Sequence, residues 1–219
     1  MTRRSFHHQP EAARQRDLVA AMLDAIAELG LQGATVREVA LRAAVTPGLI
    51  RWYFDSKENL VHIAYRSFLA DMANASMAGI GEGSAAIRLA RFVRASFTAP
   101  VADGRTLSIW AAFIGAVNAD PAMAAIHREG YRSWRDMLEA LIGELMLERG
   151  LGPHRIAVRR QAIAVNALVD GLWLEISLAG DDFADVDIVR VALDAVAAIL
   201  GVPAESLTAE SATAESPTA

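Results

Sequence analysis

Residues 35–57 read TVREVALRAAVTPGLIRWYFDSK, and this stretch decides the fold. Thr35 followed three positions later by Glu38 is a capping box, the signature of a helix N-terminus. A short helix then runs to about Ala43. Thr46 starts a second helix, with Pro47 in its first turn, where a missing N–H costs nothing. That helix runs to about Phe54. The two are joined by a tight turn at Ala43-Ala44-Val45. Val36, Val39, Ala40, Val45, Ile50 and Phe54 can all face inward. Thr46, Pro47, Leu49, Arg51 and Trp52 are left outward or at the exposed N-terminal end. A tryptophan beside an arginine is unusual on an ordinary solvated face. Against a duplex each has a use: arginine pairs with guanine edges, and apolar groups touch thymine methyls. The Thr35 and Thr46 caps and the free helix N–H groups can hold phosphates.

The flanking sequence is helical throughout. Leu18, Met22, Ala25, Ile26 and Leu29 recur at three- and four-residue steps, one apolar face of a helix that stops at Gly30. Ser56 caps a long helix ending near Gly79, with Glu58 favourably placed at its start. Further helices are expected at about 84–99, 105–118, 121–149, 155–179 and 185–200. No convincing alternating apolar–polar run marks a strand. The expected fold is all-α. A three-helix helix-turn-helix domain occupies 1–55 and a larger helical domain 56–202. The tail, 203–219, repeats Thr-Ala-Glu-Ser, has few large apolar groups to repay ordering entropy, and is expected to be disordered.

Composition narrows the function. With 53% hydrophobic and 21% charged residues the chain reads as globular. The absence of cysteine excludes disulfides, thiolate metal sites and thiol chemistry. The polar start MTRRSFHHQP and the lack of a long uncharged apolar run argue against a secretory signal and a membrane span, which makes the cytoplasm the expected location. Residues 1–70 hold nine Arg/Lys against seven Asp/Glu, and the remainder twelve against nineteen. The front is mildly basic and the back acidic, so charge alone argues only weakly for polyanion binding. The five histidines show no metal-ligand spacing, and neither a phosphate-binding glycine loop nor a nucleophile elbow occurs. Glu144 and Glu148 share a helix face that solvation explains. An enzyme and a cofactor are not expected.

The segment 35–60 resembles the signature of the TetR family of bacterial regulators. Thr35, Arg37, Val39, Ala40, Ala43, Val45, Thr46, Gly48, Ile50, Tyr53, Phe54, Lys57 and Leu60 match it. Two positions depart. Ala44 stands where the family usually has glycine, which costs about 1 kcal/mol if the turn needs a positive φ. Arg51 stands where many members carry tyrosine, which removes a usual phosphate contact and alters base readout. The resemblance implies that Tyr53 and Lys57 contact phosphate and that Arg37 lies near the backbone or groove. It also implies a homodimer reading a pseudo-palindrome, with recognition helices about one helical turn apart.

A second resemblance covers the back domain. Leu168-Val169-Asp170-Gly171-Leu172-Trp173-Leu174 with Ser177–Gly180, and Trp110-Ala111-Ala112-Phe113 with Asp120-Pro121, are similar to the BetI-type repressors. These respond to choline, although other members take other or unknown effectors. The resemblance implies a cavity carrying Trp110, Phe113, Tyr131, Trp134 and Trp173. Stacked aromatic faces attract a quaternary ammonium, and Asp170 could add charge. Aromatics at helical spacing are more often core, and Asp170-Gly171 could instead serve a dimer seam. A different hydrophobic effector, or activation in place of repression, stays open. The last two helices should form a four-helix dimer interface through Ile163, Ala167, Leu174, Leu178, Val189, Leu193, Val196 and Leu200.

Overall fold

A computed structural model describes residues 11–152 and 154–208. Among the described residues ten α-helices follow in order: α1 Glu11–Gly33, α2 Val36–Arg42, α3 Pro47–Phe54, α4 Lys57–Ala78, α5 Ala85–Ala95, α6 Gly104–Val117, α7 Pro121–Glu148, α8 Arg155–Ala179, α9 Ile188–Leu200 and α10 Glu205–Thr208. A 3₁₀ turn at Gly180–Phe183 lies between α8 and α9, and no strand occurs among the described residues. The all-α expectation holds. The chain packs as two compact units, divided otherwise than at 55/56. One runs up to Phe68 and adds Ser108–Ile126; the other joins Leu69–Leu107 to the chain from His127 onward. The opening three turns of α4 and most of α6 therefore belong with the helix-turn-helix.

In the first unit the periodic residues of α1 do what their spacing predicts. Leu18, Met22, Ala25 and Ile26 are buried with Val39, Ala40, Ile50, Phe54 and Leu60. Leu29, expected on the same face, is 48% exposed. The helix does not simply end at Gly30: it kinks there, at φ 66°, and one more turn carries it to Gly33. Thr35 caps α2 by accepting from Glu38 N, but the reciprocal half of the capping box is not made. The Glu38 carboxylate accepts instead from Arg42 Nε at 2.8 Å. Thr46 caps α3 by accepting from Leu49 N, and Ser56 caps the start of α4 by accepting from Asn59 N. Tyr65 of α4 stacks on Phe113 of α6, centroids 4.3 Å apart. His62 Nε2 lies 2.6 Å from the Asp120 carboxylate, which also accepts from Ala122 N and Met123 N to cap α7. That histidine holds the Asp120 carboxyl below its ordinary range.

The second unit is built on one core: Leu89, Phe92 and Val93 of α5, Leu138, Leu141, Ile142 and Leu145 of α7, Ala162 and Val165 of α8, and Leu193, Val196 and Leu200 of α9. Two expectations are corrected here. Residues 203–208 are ordered, because α10 tucks Leu207, 2% exposed, into this core. One leucine suffices where the Thr-Ala-Glu-Ser composition argued for none; the rest of the tail lies outside the described residues. Leu193, Val196 and Leu200 are buried at 1%, 0% and 5%, so they serve the chain's own core and offer nothing to a second copy. Val189 is partly buried against the same core. α8 is long and apolar enough, by length and composition, to cross a membrane. Its inner face, with Ala162, Val165, Val169 and Trp173, is nonetheless buried in the protein.

Candidate functional site

The exposed surface of the helix-turn-helix is where the pattern of capping and burial leaves it. Ile50 and Phe54 face the core, so the opposite side of α3 must carry Arg51 and Trp52. Both are exposed, Trp52 at 68%, with only an edge contact to Tyr53 at 4.7 Å between centroids. Thr35, Arg37, Thr46, Pro47 and Gly48 are exposed too, while Leu49, Tyr53 and Lys57 are half-buried. Leaving a large indole in water is unfavourable, so its exposure is a cost that a partner removes. The arginines divide sharply. Arg42 bridges Glu28 at 2.7 Å and Glu38 at 2.8 Å, and its hydrogen bond holds the Glu28 carboxyl below the usual range. Arg37 and Arg51 pair with no described residue and keep all their donors for a ligand.

Two features of the turn hold this surface in place. Ala44 sits at φ 51°, so the turn does require the left-handed region that its usual glycine would adopt without strain. Asp55, at φ 59°, makes a second left-handed turn between α3 and α4 that composition did not announce. Lys57 donates to the Leu31 carbonyl at 3.0 Å, tying the start of α4 to the last turn of α1. It is the single lysine among 21 basic residues, so charge alone does not explain it. A compact ammonium with three donors can hold that carbonyl and still reach a phosphate.

In the second unit four residues predicted for an effector cavity meet across α7 and α8. Tyr131 Oη donates to Asp170 Oδ1 at 3.1 Å, and Trp134 lies edge-on to Trp173 at 6.3 Å. Asn166, one turn before Asp170 on α8, donates to its Oδ2 at 2.9 Å. Burial pushes the Asp170 carboxyl up to about 6, against the two hydrogen bonds and the more distant Arg135. His127 lies over Tyr131 at 4.0 Å, and desolvation, with Arg135 and Arg128 nearby, lowers its pKa. The Trp173 Nε1–H donates to the Ser96 carbonyl at 2.7 Å, and Trp134 packs on Phe92 at 4.6 Å. Next to Tyr131, Gly130 allows α4 and α7 to touch: a Cβ there would fall 2.8 Å from Leu69 Cδ1 and 3.2 Å from Leu69 Cβ. Among the described residues no group of histidine, aspartate or glutamate side chains forms a metal site.

The comparisons with known proteins agree with both halves. Residues 18–63 match the family model of bacterial regulatory proteins of the tetR family, and residues 85–201 match the C-terminal model of BetI-type transcriptional repressors. The chain belongs to the TetR family, with a BetI-type C-terminal domain. It is 30% identical over 189 residues to the HTH-type transcriptional regulator BetI of Paraburkholderia phytofirmans, covering 85% of this chain and 93% of that one. Among solved structures, a transcriptional regulator from Pseudomonas aeruginosa PAO1 is 32% identical, with a TM-score of 0.75, covering 89% of this chain and 95% of that one. A transcriptional regulator from Saccharomonospora viridis, solved in complex with choline, shares the fold at a TM-score of 0.74 and 19% identity, covering 86% of this chain and 97% of that one. The protein is thus a DNA-binding transcription regulator and not an enzyme.

Each compact unit of this TetR-type chain holds part of the predicted effector set. In the second unit Tyr131 meets Asp170 and Trp134 meets Trp173; in the first, Trp110 and Phe113 are buried, Phe113 against Tyr65 and Phe68. Asn166 was missed, although its i, i+4 spacing to Asp170 is a readable signal. On α8, Ile163, Ala167, Leu174 and Leu178 form an exposed line that passes Gly171, with Ile163 at 49%, Leu174 at 47% and Leu178 at 75%. On α9 the outward apolar residues are Val191, 43% exposed, and Ala198, not Leu193 and Val196.

Proposed function

We propose that this regulator is a homodimeric repressor that holds a pseudo-palindromic operator and releases it when a small quaternary ammonium, choline or a close relative, binds beside Asp170. The observation that carries the effector is the Asp170 carboxylate. It is partly buried, held by two neutral donors, and has no cation within ion-pair distance among the described residues. A desolvated charge without a counter-ion is costly, and a cationic ligand removes that cost. Trp134 and Trp173 supply the aromatic faces that such a cation prefers. The choline complex of the Saccharomonospora viridis regulator supports the same ligand class.

The exposed line on α8 supports the dimer. Apolar residues at 163, 167, 174 and 178 with Val191 and Ala198 of α9 make a face too extended for a soluble monomer to leave open. A second copy covers it with the same face, as a two-fold pair requires. Arg37, Arg51 and Trp52, with Thr35, Thr46, Pro47, Gly48, Leu49, Tyr53 and Lys57 around them, are then the DNA contacts. The switch runs through α4, which follows the recognition helix and in its second half meets Gly130. A ligand that draws on Tyr131 displaces the neighbouring Gly130, and α4 with it. Release follows only if the ligand prefers the displaced state.

Calorimetric titration of choline and betaine aldehyde tests this reading. Choline should bind once per protomer at pH 7.5, and operator DNA should weaken it by the factor by which choline weakens the operator. The sign of the pH dependence follows from Asp170. The ionised form binds the cation, so affinity is full above about pH 6 and falls roughly tenfold per pH unit below it. Asp170→Asn should weaken binding and abolish that slope. Absence of binding by either cation, or a slope that survives in Asp170→Asn, would sink the effector assignment.

A further inference from the structure

Between α7 and α8 a cleft of about 350 Å³ is lined by Arg132, Arg135, Asp136, Glu139, Arg155 and Arg159. The volume is that of a small-ligand site. Its arginines differ from three others of this chain that have carboxylates beside them. Arg42, Arg88 and Arg190 each ion-pair with a neighbouring carboxylate. Arg132, Arg135, Arg155 and Arg159 form no ion pair with a described residue, although Asp136 and Glu139 line the same cleft; Arg135 acts only at longer range, on Asp170. Four guanidinium groups gathered around one space repel one another. One of them, Arg155, also opens α8, where the helix dipole disfavours a cation. A local arrangement that works against its own electrostatics is compensated by a ligand or it is lost.

We propose that this cleft binds a small phosphate monoester carrying hydroxyl groups, such as a sugar phosphate. Four arginines against two carboxylates leave a charge of +2, which a phosphate monoester dianion neutralises. Guanidinium forks match phosphate oxygens in bidentate geometry. Asp136 and Glu139 accept hydrogen bonds from hydroxyls, which an inorganic anion lacks. Nucleic acid is the poorer fit: the chain beyond residue 70 holds nineteen acidic against twelve basic residues and would repel an extended polyanion. No residue of the cleft hydrogen-bonds Asp170, although Arg135 acts on that carboxyl from a distance, and binding at the cleft is tested below without choline, so its failure and the failure of the choline reading are distinguishable.

The test is titration of the full-length protein with ribose 5-phosphate, ribose and inorganic phosphate at low salt. Ribose 5-phosphate should bind saturably, once per protomer, at least tenfold more tightly than inorganic phosphate, and ribose not at all. The Arg132→Gln/Arg159→Gln variant should lose at least tenfold in affinity with an unchanged melting temperature, since both side chains are exposed. Asp136→Asn/Glu139→Gln should narrow the gap between ribose 5-phosphate and inorganic phosphate. No saturable binding, equal binding by the arginine variant, or equal affinity for the sugar phosphate and inorganic phosphate would each overturn the proposal.

Discussion

Helices α3 and α9 pose the same problem and answer it differently. Each is amphipathic, and each carries one face that the chain needs and one that a partner needs. On α3 the two faces differ in chemistry: Ile50 and Phe54 turn inward, and Arg51 and Trp52 outward. On α9 the outward face is mixed: the Arg190–Asp194 ion pair shares it with apolar side chains. Leu193, Val196 and Leu200 are absorbed by the core, and the smaller Val191 and Ala198 are left to solvent. Polar contrast fixes which side of a helix faces in. Where the outward face is mixed, as on α9, size decides which apolar side chains go inside, because a core at crystal-like density takes the larger ones first.

The sharpest way to break that comparison is to place a charge on each face of α9. Leu193→Arg should unfold the second unit, at a cost of about 4 kcal/mol or more, because it buries an unpaired charge in the core. Val191→Arg should leave melting of the monomer nearly unchanged and shift sedimentation toward a monomer. Equal effects on melting from the two variants would show that α9 has been turned the wrong way. On α3 the corresponding test is functional. Arg51→Ala or Trp52→Ala should weaken specific operator binding by about 1–3 kcal/mol each, read by mobility shift, with no loss of stability. Arg42→Ala should act the other way round: its guanidinium is spent on Glu28 and Glu38, so its loss loosens α1 against α2 and leaves base preference alone.

Much of this was legible in advance, and the failures have physical causes. The head could be read from its caps: Thr35, Thr46 and Ser56 all accept the bonds their positions imply. Trp52 reads as outward once Ile50 and Phe54 take the inward face of the same helix. The pairing of Tyr131 with Asp170 was not legible, because periodicity orders residues along one helix but does not say which turn of another they meet. The burial of Leu207 was hidden by its surroundings, since composition averages over a segment and a single anchoring side chain does not move the average.

A smaller effect sharpens the contrast between contact and transmission. Gly130→Ala touches neither the operator surface nor the Asp170 carboxylate. Its new methyl group would press on Leu69, at a backbone-proximal Cβ that cannot rotate away. α4 must then shift by a few tenths of an ångström. Operator affinity should change several-fold while the dimer stays intact and choline affinity follows in the opposite direction, as linkage requires. A variant with normal operator affinity and normal choline response would show that the α4–α7 contact does not carry the switch.

The smallest expected effect concerns the turn that joins α2 to α3. Ala44 holds φ 51°, a region where Cβ meets the backbone and glycine does not. Ala44→Gly removes that strain, a gain of about 1 kcal/mol, but gives the unfolded chain more freedom, which takes back part of it. The net should be stabilising by about 0.5 kcal/mol, or one to two degrees in melting temperature for a chain of this size. Ala44 is exposed, so no packing contact is lost with its methyl group. Operator affinity should hold, because glycine keeps the same backbone path and α3 keeps its Thr46 cap. A fall in operator affinity with a rise in stability would mean that the alanine stiffens the turn on which Arg51 and Trp52 are carried. The departure at this position would then serve recognition at the expense of the fold.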